Sequence, residues 1–254
     1  MITEVKVGTE ELSAPPFFLG LGSCFVSNLD PYLNEWGYGY QFNPLGTSFN
    51  PISIAKQLRW IFCDEKLSPT FSHLGTFHQL DAANKWQHES DKELQEALKN
   101  AKNEINQFIN QPGKNLVLVI SLGTAHAWFK GNHLVNNCHK LPGNFFERRL
   151  LSKEEIVTEW KRTLSQLPEN LQIIFTVSPV RYTRIGLQEN FLGKSILRTA
   201  IEELLRSPRV IYFPSFEIIN DELRDYSFFE SNGTHPNSKA IKVIMERFKT
   251  FLHL

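Results

Sequence analysis

Apolar residues occur along this chain in two patterns, as short continuous runs and as longer stretches with helical spacing. The runs 116–120 and 173–177 are apolar throughout, which is typical of strands that are covered on both faces. Strands are predicted at 16–21, 37–42, 115–122, 172–178 and 209–213. Helices are predicted, from apolar positions three and four residues apart, at 23–35, 51–64, 91–109, 152–166, 190–206 and 236–252.

The alternation of strands and helices favours a parallel sheet between two layers of helices. We therefore predict the α/β class, as a three-layer α/β/α sandwich around a central parallel sheet. A chain of 254 residues with 41% hydrophobic content can bury one large core, and no repeat or linker divides it, so residues 1–254 are expected to form one domain. Segments 43–50, 68–90 and 123–151 are predicted to be long loops, a length that often indicates function.

Composition narrows the range of partners and locations. The 27 basic residues balance 27 acidic ones and no long basic run occurs, so nucleic acid is not expected as a partner. No stretch contains 18 consecutive apolar residues and the first residues lack the basic start of a signal peptide, so we expect no membrane association and a cytoplasmic location. Cys24, Cys63 and Cys138 are too few and too scattered for a disulfide framework and are expected to be reduced.

Two adjacent nucleophiles, Ser23 and Cys24, lie where the first predicted strand meets the first predicted helix. Unpaired amides at a helix N-terminus would stabilise a thiolate or an oxyanion there. The histidine that such chemistry needs is found near the other end of the chain, where His235 precedes the last predicted helix. The alternative is structural: Ser23 caps the helix, Cys24 packs as a small apolar side chain, and His235 only precedes Pro236.

Several further motifs occur in the order typical of one family. They are Gly22-Ser23-Cys24-Phe25, Asn43-Pro44-Leu45-Gly46, Ser121-Leu122-Gly123-Thr124-Ala125, Asn137-Cys138-His139-Lys140-Leu141-Pro142, Phe146-Glu147-Arg148-Arg149, Thr176-Val177-Ser178-Pro179-Val180-Arg181, Phe213-Pro214-Ser215-Phe216-Glu217, Asp221-Glu222-Leu223-Arg224-Asp225-Tyr226 and His235-Pro236. From about Phe18 to Phe248 the chain resembles the GSCFA domain family. The resemblance implies the broader SGNH or GDSL-type hydrolase group, whose members have a flavodoxin-like α/β/α topology and act on acyl esters.

That resemblance assigns roles to the first and last motifs. The GDSL group has its nucleophilic serine third in a Gly-Asp-Ser turn, so Cys24 takes the position of the nucleophile and Ser23 that of the aspartate. The group's histidine precedes its last helix, which gives His235 the role of general base. A thiol suits this position because helix N-termini lower the pKa of cysteine.

The group's third catalytic residue is an aspartate three positions before the histidine, and Asn232 stands there instead. An amide can orient an imidazole but cannot stabilise an imidazolium by charge, and papain-like Cys–His sites also use Asn in this way. Asn232 therefore favours Cys24 over Ser23. Glu230 or Asp225 could serve instead.

Oxyanion donors are expected in the following loops. The backbone amide of Cys24 and Gly46 in the second motif are the first candidates. Where the group has a Gly-x-Asn-Asp motif, this chain has Ala125 at the asparagine position and so lacks the side-chain amide donor. The candidates to replace that donor are Thr124, His126 and Asn43. A glycine that only shapes a turn is the alternative for Gly46.

Five further residues are candidates for binding substrate: His126, Trp128, Cys138, His139 and Arg181. Trp128 is a candidate platform for a sugar or acyl group, and Arg181 is a candidate bidentate partner for a carboxylate or phosphate. The alternatives are loop packing for Cys138 and His139, and for Arg181 a surface ion pair with Glu147 or Asp225. No metal is expected, because the histidines lack the paired spacing of zinc ligands.

The sequence thus predicts an acyl-transfer enzyme that acts on a small-molecule or carbohydrate ester, by hydrolysis or by moving an acetyl group, with no cofactor. Two other functions are considered. Dinucleotide binding is disfavoured because Phe25 occupies the third glycine position of the fingerprint and no acidic residue ends the second predicted strand. A binding module without turnover is compatible with the missing aspartate.

Overall fold

A computed structural model describes residues 4–9, 12 and 16–254. The strands are β1 (Pro16–Gly22), β2 (Gly39–Phe42), β3 (Phe71–His73), β4 (Thr76–His78), β5 (Gln87–His88), β6 (Asn115–Leu122), β7 (His126–Lys130), β8 (His133–Val135), β9 (Glu147–Leu150), β10 (Gln172–Val177) and β11 (Val210–Tyr212). The helices are α1 (Cys24–Asn28), α2 (Asp30–Glu35), α3 (Pro51–Phe62), α4 (Asp91–Ile109), α5 (Lys153–Gln166), α6 (Leu187–Leu204), α7 (Ser215–Glu217) and α8 (Ser238–Phe251).

The central sheet has five strands in the order β11-β10-β6-β1-β2, and every pairing within it is parallel. Numbered along the chain, these strands lie in the doubly wound order 2-1-3-4-5. The predicted parallel sheet is therefore confirmed. The order reverses between β1 and β6, and at such a point loops diverge and leave a crevice.

Helices cover both faces of this sheet because neighbouring strand residues point to opposite sides. Leu19, Leu118 and Ile120 pack into a cluster with α3, α4, α5 and α6 on one face. Phe18 and Val119 pack into a second cluster with α1, α2 and α8 on the other. Two apolar cores, one on each side, explain why the central strands are apolar throughout.

The predicted helix 23–35 is in fact two helices that meet at Leu29. Pro31 lies at the start of α2 and has no amide hydrogen to donate to the preceding turn. The last helix begins at Ser238 and not at 236, because the Asn237 side chain caps it by accepting from the amides of Lys239 and Ala240.

Two of the three predicted loops are wrong as loops, since each carries a small antiparallel sheet. Segment 68–90 holds β3, β4 and β5, and segment 123–151 holds β7, β8 and β9. These strands are two to five residues long and mostly half-exposed, so they produce no apolar run. Leu74 and Gly75 join β3 to β4 with φ angles of 47° and 80°, as a tight hairpin requires.

Candidate functional site

A cavity of about 520 Å³ opens at the carboxyl ends of β1, β6 and β10. Seven of the residues proposed from the sequence line it: Cys24, Thr124, His126, Trp128, Cys138, Arg181 and His235. Five others do not: Ser23, Asn43, Gly46, His139 and Asn232. The fold therefore brings the first and last motifs to one cavity and turns part of the second and fourth motifs away from it.

Cys24 reaches the cavity because the chain makes a sharp turn at Gly22. Gly22 has a φ of 138°, and a Cβ atom there would overlap the carbonyl oxygen of Ser121 on β6. The amide of Ser23 donates to that same carbonyl at 3.0 Å. α1 then begins at Cys24, which is partly buried, and within the described residues its amide has no acceptor.

Ser23 is held away from the cavity by its own hydrogen bonds. It is 1% exposed, its hydroxyl shares a 2.7 Å hydrogen bond with the Ser121 hydroxyl, and it accepts from the Phe25 amide at 3.2 Å. Ser23 is thus the N-cap of α1, as the structural alternative expects. Of the two adjacent nucleophiles, only Cys24 faces the cavity.

Asn43 and Gly46 shape the turn after β2, and the expectation that they donate to an oxyanion does not fit their positions. Asn43 Oδ1 accepts from the Gly22 amide at 2.8 Å, so this side chain supports the turn before Cys24. The Gly46 amide donates to the Asn43 carbonyl at 2.7 Å, and a side chain at Gly46 would overlap Ala83. Both residues are occupied in local structure.

His235 lies on the cavity wall with an exposed side chain. Among the described residues, its ring makes no ion pair with a carboxylate and no hydrogen bond with Cys24. Asn232 does not orient the ring, because its Oδ1 accepts from the amides of Thr234 at 2.8 Å and His235 at 3.4 Å. Asp225 is likewise occupied, as its side chain caps a short turn by accepting from Ser227.

A second histidine, His126, lines the cavity at the start of β7. Its amide donates to the Thr124 hydroxyl at 3.1 Å, and its Nε2 lies 3.7 Å from a Glu189 carboxylate oxygen. Burial lowers the pKa of His126, and the positive charge of Arg148 adds to that effect. Trp128, two residues along β7, also faces the cavity and is half-buried.

Cys138 and His139 are neighbours that point to different places. Cys138 lines the cavity, and burial raises the pKa of its thiol to about 11. His139 is buried behind the cavity, where its Nε2 donates to the Ala82 carbonyl at 3.1 Å and its ring packs edge-on against His78. Burial lowers the pKa of His139. Cys138 therefore holds little thiolate at neutral pH, and His139 belongs to the packing of the loop.

Arg181 follows β10 and is held by aromatic rings. Its guanidinium lies 3.8 Å from the centre of the Phe229 ring and 5.0 Å from that of Tyr226. Its backbone amide donates to the Thr234 carbonyl at 2.9 Å, which ties the loop after β10 to the segment that carries His235. The expected alternative of an ion pair with Glu147 or Asp225 does not occur.

Lys194 was not singled out from the sequence. Its Nζ donates to the carbonyls of Gly123 and Ser178, both at 2.7 Å, and so joins the loops that follow β6 and β10 directly behind the cavity. The side chain is 2% exposed, and burial lowers its pKa to about 7. A signal was present, since Lys194 occupies the same face of α6 as the buried Leu197 and Ile201.

Asn137 lies in the fourth sequence motif and was not predicted as a site residue by itself. It lines the cavity, and its Oδ1 accepts from the His139 amide at 2.7 Å. This hydrogen bond leaves the Nδ2 group as a side-chain amide donor that has no acceptor among the described residues.

The fold and this cavity define an α/β protein of the doubly wound kind with two thiols and two imidazoles beyond its strand ends. Residues 17–248 match the GSCFA family, and the chain belongs to it. No curated protein matches the chain at a significant level. Across the described residues, no cluster of three or more His, Cys, Asp or Glu side chains could hold a metal ion. None of the helices in this part of the chain combines the length and the apolar character that a membrane span requires.

Proposed function

We propose that this protein catalyses acyl transfer through a thioester on Cys24, in the manner that the resemblance to the SGNH or GDSL group implies. One observation carries the proposal: Cys24, at the start of α1, and His235, before α8, line the same cavity although they lie 211 positions apart in the chain. Ligands bind at this place in doubly wound folds.

The proposed reaction has two steps. Cys24 Sγ attacks the ester carbonyl carbon after His235 takes the thiol proton, and the leaving alkoxide receives that proton as the C–O bond breaks. Water or a sugar hydroxyl then attacks the thioester, transfers its proton through His235, and releases the acyl group from a regenerated thiol. Hydrolysis and transfer differ only in this second nucleophile.

Two donors in the cavity suit the developing oxyanion. The Cys24 amide has no acceptor among the described residues, and the Asn137 side-chain amide can take the place of the donor that is lost at Ala125. Removal of one such donor lowers kcat by about 100-fold to 1,000-fold in other enzymes. We expect Asn137→Asp, which keeps the shape of the side chain, to act in this way.

The test combines turnover with detection of the intermediate. Hydrolysis of p-nitrophenyl acetate is followed with and without monosaccharide acceptors, and mass spectrometry identifies the acetylated peptide. We expect acetylation at Cys24, and loss of turnover in Cys24→Ala and His235→Ala. Cys63→Ala, which removes a thiol outside the cavity, is the matched control. A Cys24→Ala variant as active as the parent contradicts the proposal.

A binding module without turnover is the second candidate. It is favoured by the exposed His235 ring, which within the described residues has no carboxylate partner, and by the Asn232 side chain, which is bonded to backbone amides. Calorimetric binding of an acetylated sugar, together with no turnover in the parent protein, would identify it.

The thiols of Cys24, Cys63 and Cys138 are free, which favours a reducing, cytoplasmic setting for either function.

A further inference from the structure

The cavity wall is positively charged. Arg181 and Arg184 line it, no Asp or Glu is among its lining residues, and the Glu189 carboxylate beside His126 lies outside that set. Side chains of one sign in a concave site concentrate ligands of the opposite charge. The cavity therefore differs from the chain as a whole, whose basic and acidic residues balance.

Neither cavity arginine makes an ion pair within the described residues, whereas most other arginines there do. Carboxylates bind Arg59, Arg149, Arg162, Arg198, Arg224 and Arg247. Arg181 instead rests on the Phe229 and Tyr226 rings, which hold the planar group by cation–π contact and leave its N–H groups available. An arginine fork held in this way is suited to bidentate binding of a carboxylate or phosphate.

We infer that Arg181 binds an anionic group of the substrate, so that the ester taken by this site carries a carboxylate or a phosphate. That the anionic group belongs to an ester rests on the proposed function, but the anion site itself does not depend on turnover. Arg184, on the exposed turn beside it, adds charge to the same wall.

Two alkylating reagents of similar size test this charge at Cys24 itself. The thiolate displaces iodide from either reagent, and iodoacetate is anionic whereas iodoacetamide is neutral. The rate of labelling of Cys24 by iodoacetate divided by its rate with iodoacetamide reports the local electrostatic field, because any change in thiolate content affects both rates equally. We expect Arg181→Ala to lower the ratio by about threefold or more, and Arg181→Lys to retain part of it.

Two controls are built into the protein. Arg206→Ala removes an exposed arginine that does not line this cavity, and it should leave the ratio at Cys24 unchanged. Cys63, outside the cavity, should show the same ratio in the parent and in Arg181→Ala. An unchanged Cys24 ratio in Arg181→Ala overturns the inference. If that ratio falls but no ester is turned over, the proposed function fails and the anion site stands.

Protection experiments then separate the two anions. Succinate and inorganic phosphate are tested for slowing iodoacetamide labelling of Cys24 in the parent and in Arg181→Ala. Protection by succinate alone identifies a carboxylate, and protection by phosphate alone identifies a phosphoryl group, in each case lost in Arg181→Ala. Protection by neither anion, or protection that survives in Arg181→Ala, overturns the inference.

Discussion

Lys194→Met is expected to change how the stability of this protein depends on pH. The lysine is 2% exposed, and its only described polar partners are the two carbonyls at 2.7 Å. A neutral amine can still donate two hydrogen bonds to these carbonyls, whereas a buried ammonium lacks the solvation that it has in the unfolded chain. Burial accordingly lowers the pKa of Lys194 to about 7.

Whether the free energy of unfolding rises or falls with pH follows from proton binding to Lys194 in the folded and unfolded states. The folded pKa of Lys194 is about 7, and the unfolded value is about 10.4, so between these values the unfolded chain binds more protons. The free energy of unfolding therefore rises with pH across this window, and the stability contributed by the neutral amine is lost as pH falls toward 7. Integrated between about pH 7 and pH 9, the contribution of Lys194 is roughly 2 kcal/mol.

Urea unfolding followed by far-ultraviolet circular dichroism measures this difference at pH 7, 8 and 9. Met retains most of the apolar stem and removes the titration, so the parent should gain about 2 kcal/mol relative to Lys194→Met between the first and last pH. Lys239→Met, at an exposed lysine, is the matched control for loss of one charge. A parent-to-variant difference that is the same at all three pH values would refute the reasoning.

Two further predictions concern the turn that positions Cys24. Gly22→Ala should lower the free energy of unfolding by about 3 kcal/mol or more, since the new methyl group overlaps the Ser121 carbonyl. Gly37→Ala is the control, because Gly37 has a φ of 79° and open space around it, and it should lower the free energy of unfolding by only about 1 kcal/mol. Equal losses for the two variants in denaturant unfolding would contradict the steric argument. Ser23→Ala and Ser121→Ala should show a coupling energy of about 1 kcal/mol in a double-mutant cycle, because the two hydroxyls share a buried hydrogen bond, and strictly additive losses would count against it.

The sequence pattern predicted the bounds of an element correctly where apolar residues repeat regularly over its whole length. The predicted strand 115–122 matches β6, and the predicted helix 91–109 matches α4. Both carry a long, regular apolar pattern, and burial of that pattern is what stabilises each element. The strands β3 to β5 and β7 to β9 were missed because a few half-exposed residues paired with other short segments leave no such pattern.

The candidate site likewise has a part that the sequence predicts and a part that depends on tertiary contacts. A strand–glycine–helix pattern was enough to place Cys24 at a helix start, and the family motif was enough to single out His235. That pattern alone does not say which of the two adjacent nucleophiles faces the cavity, and only the family resemblance and Asn232 favoured Cys24. Which nucleophile faces the cavity depends on the hydroxyl of Ser121, which lies 98 positions away and binds Ser23.

The sequence by itself determined the class of fold, the parallel central strands and the chain segments from which a site could be built, because these follow from apolar periodicity and from short-range turn chemistry. Only the tertiary structure decided that Asn43, Gly46 and His139 turn away, since each is held by a hydrogen bond to its surroundings. Tertiary structure also decided that Lys194 lies behind the cavity and Arg181 on it. Hydrogen bonding and charge act between groups that approach in space, and the order of residues along the chain does not specify those distances.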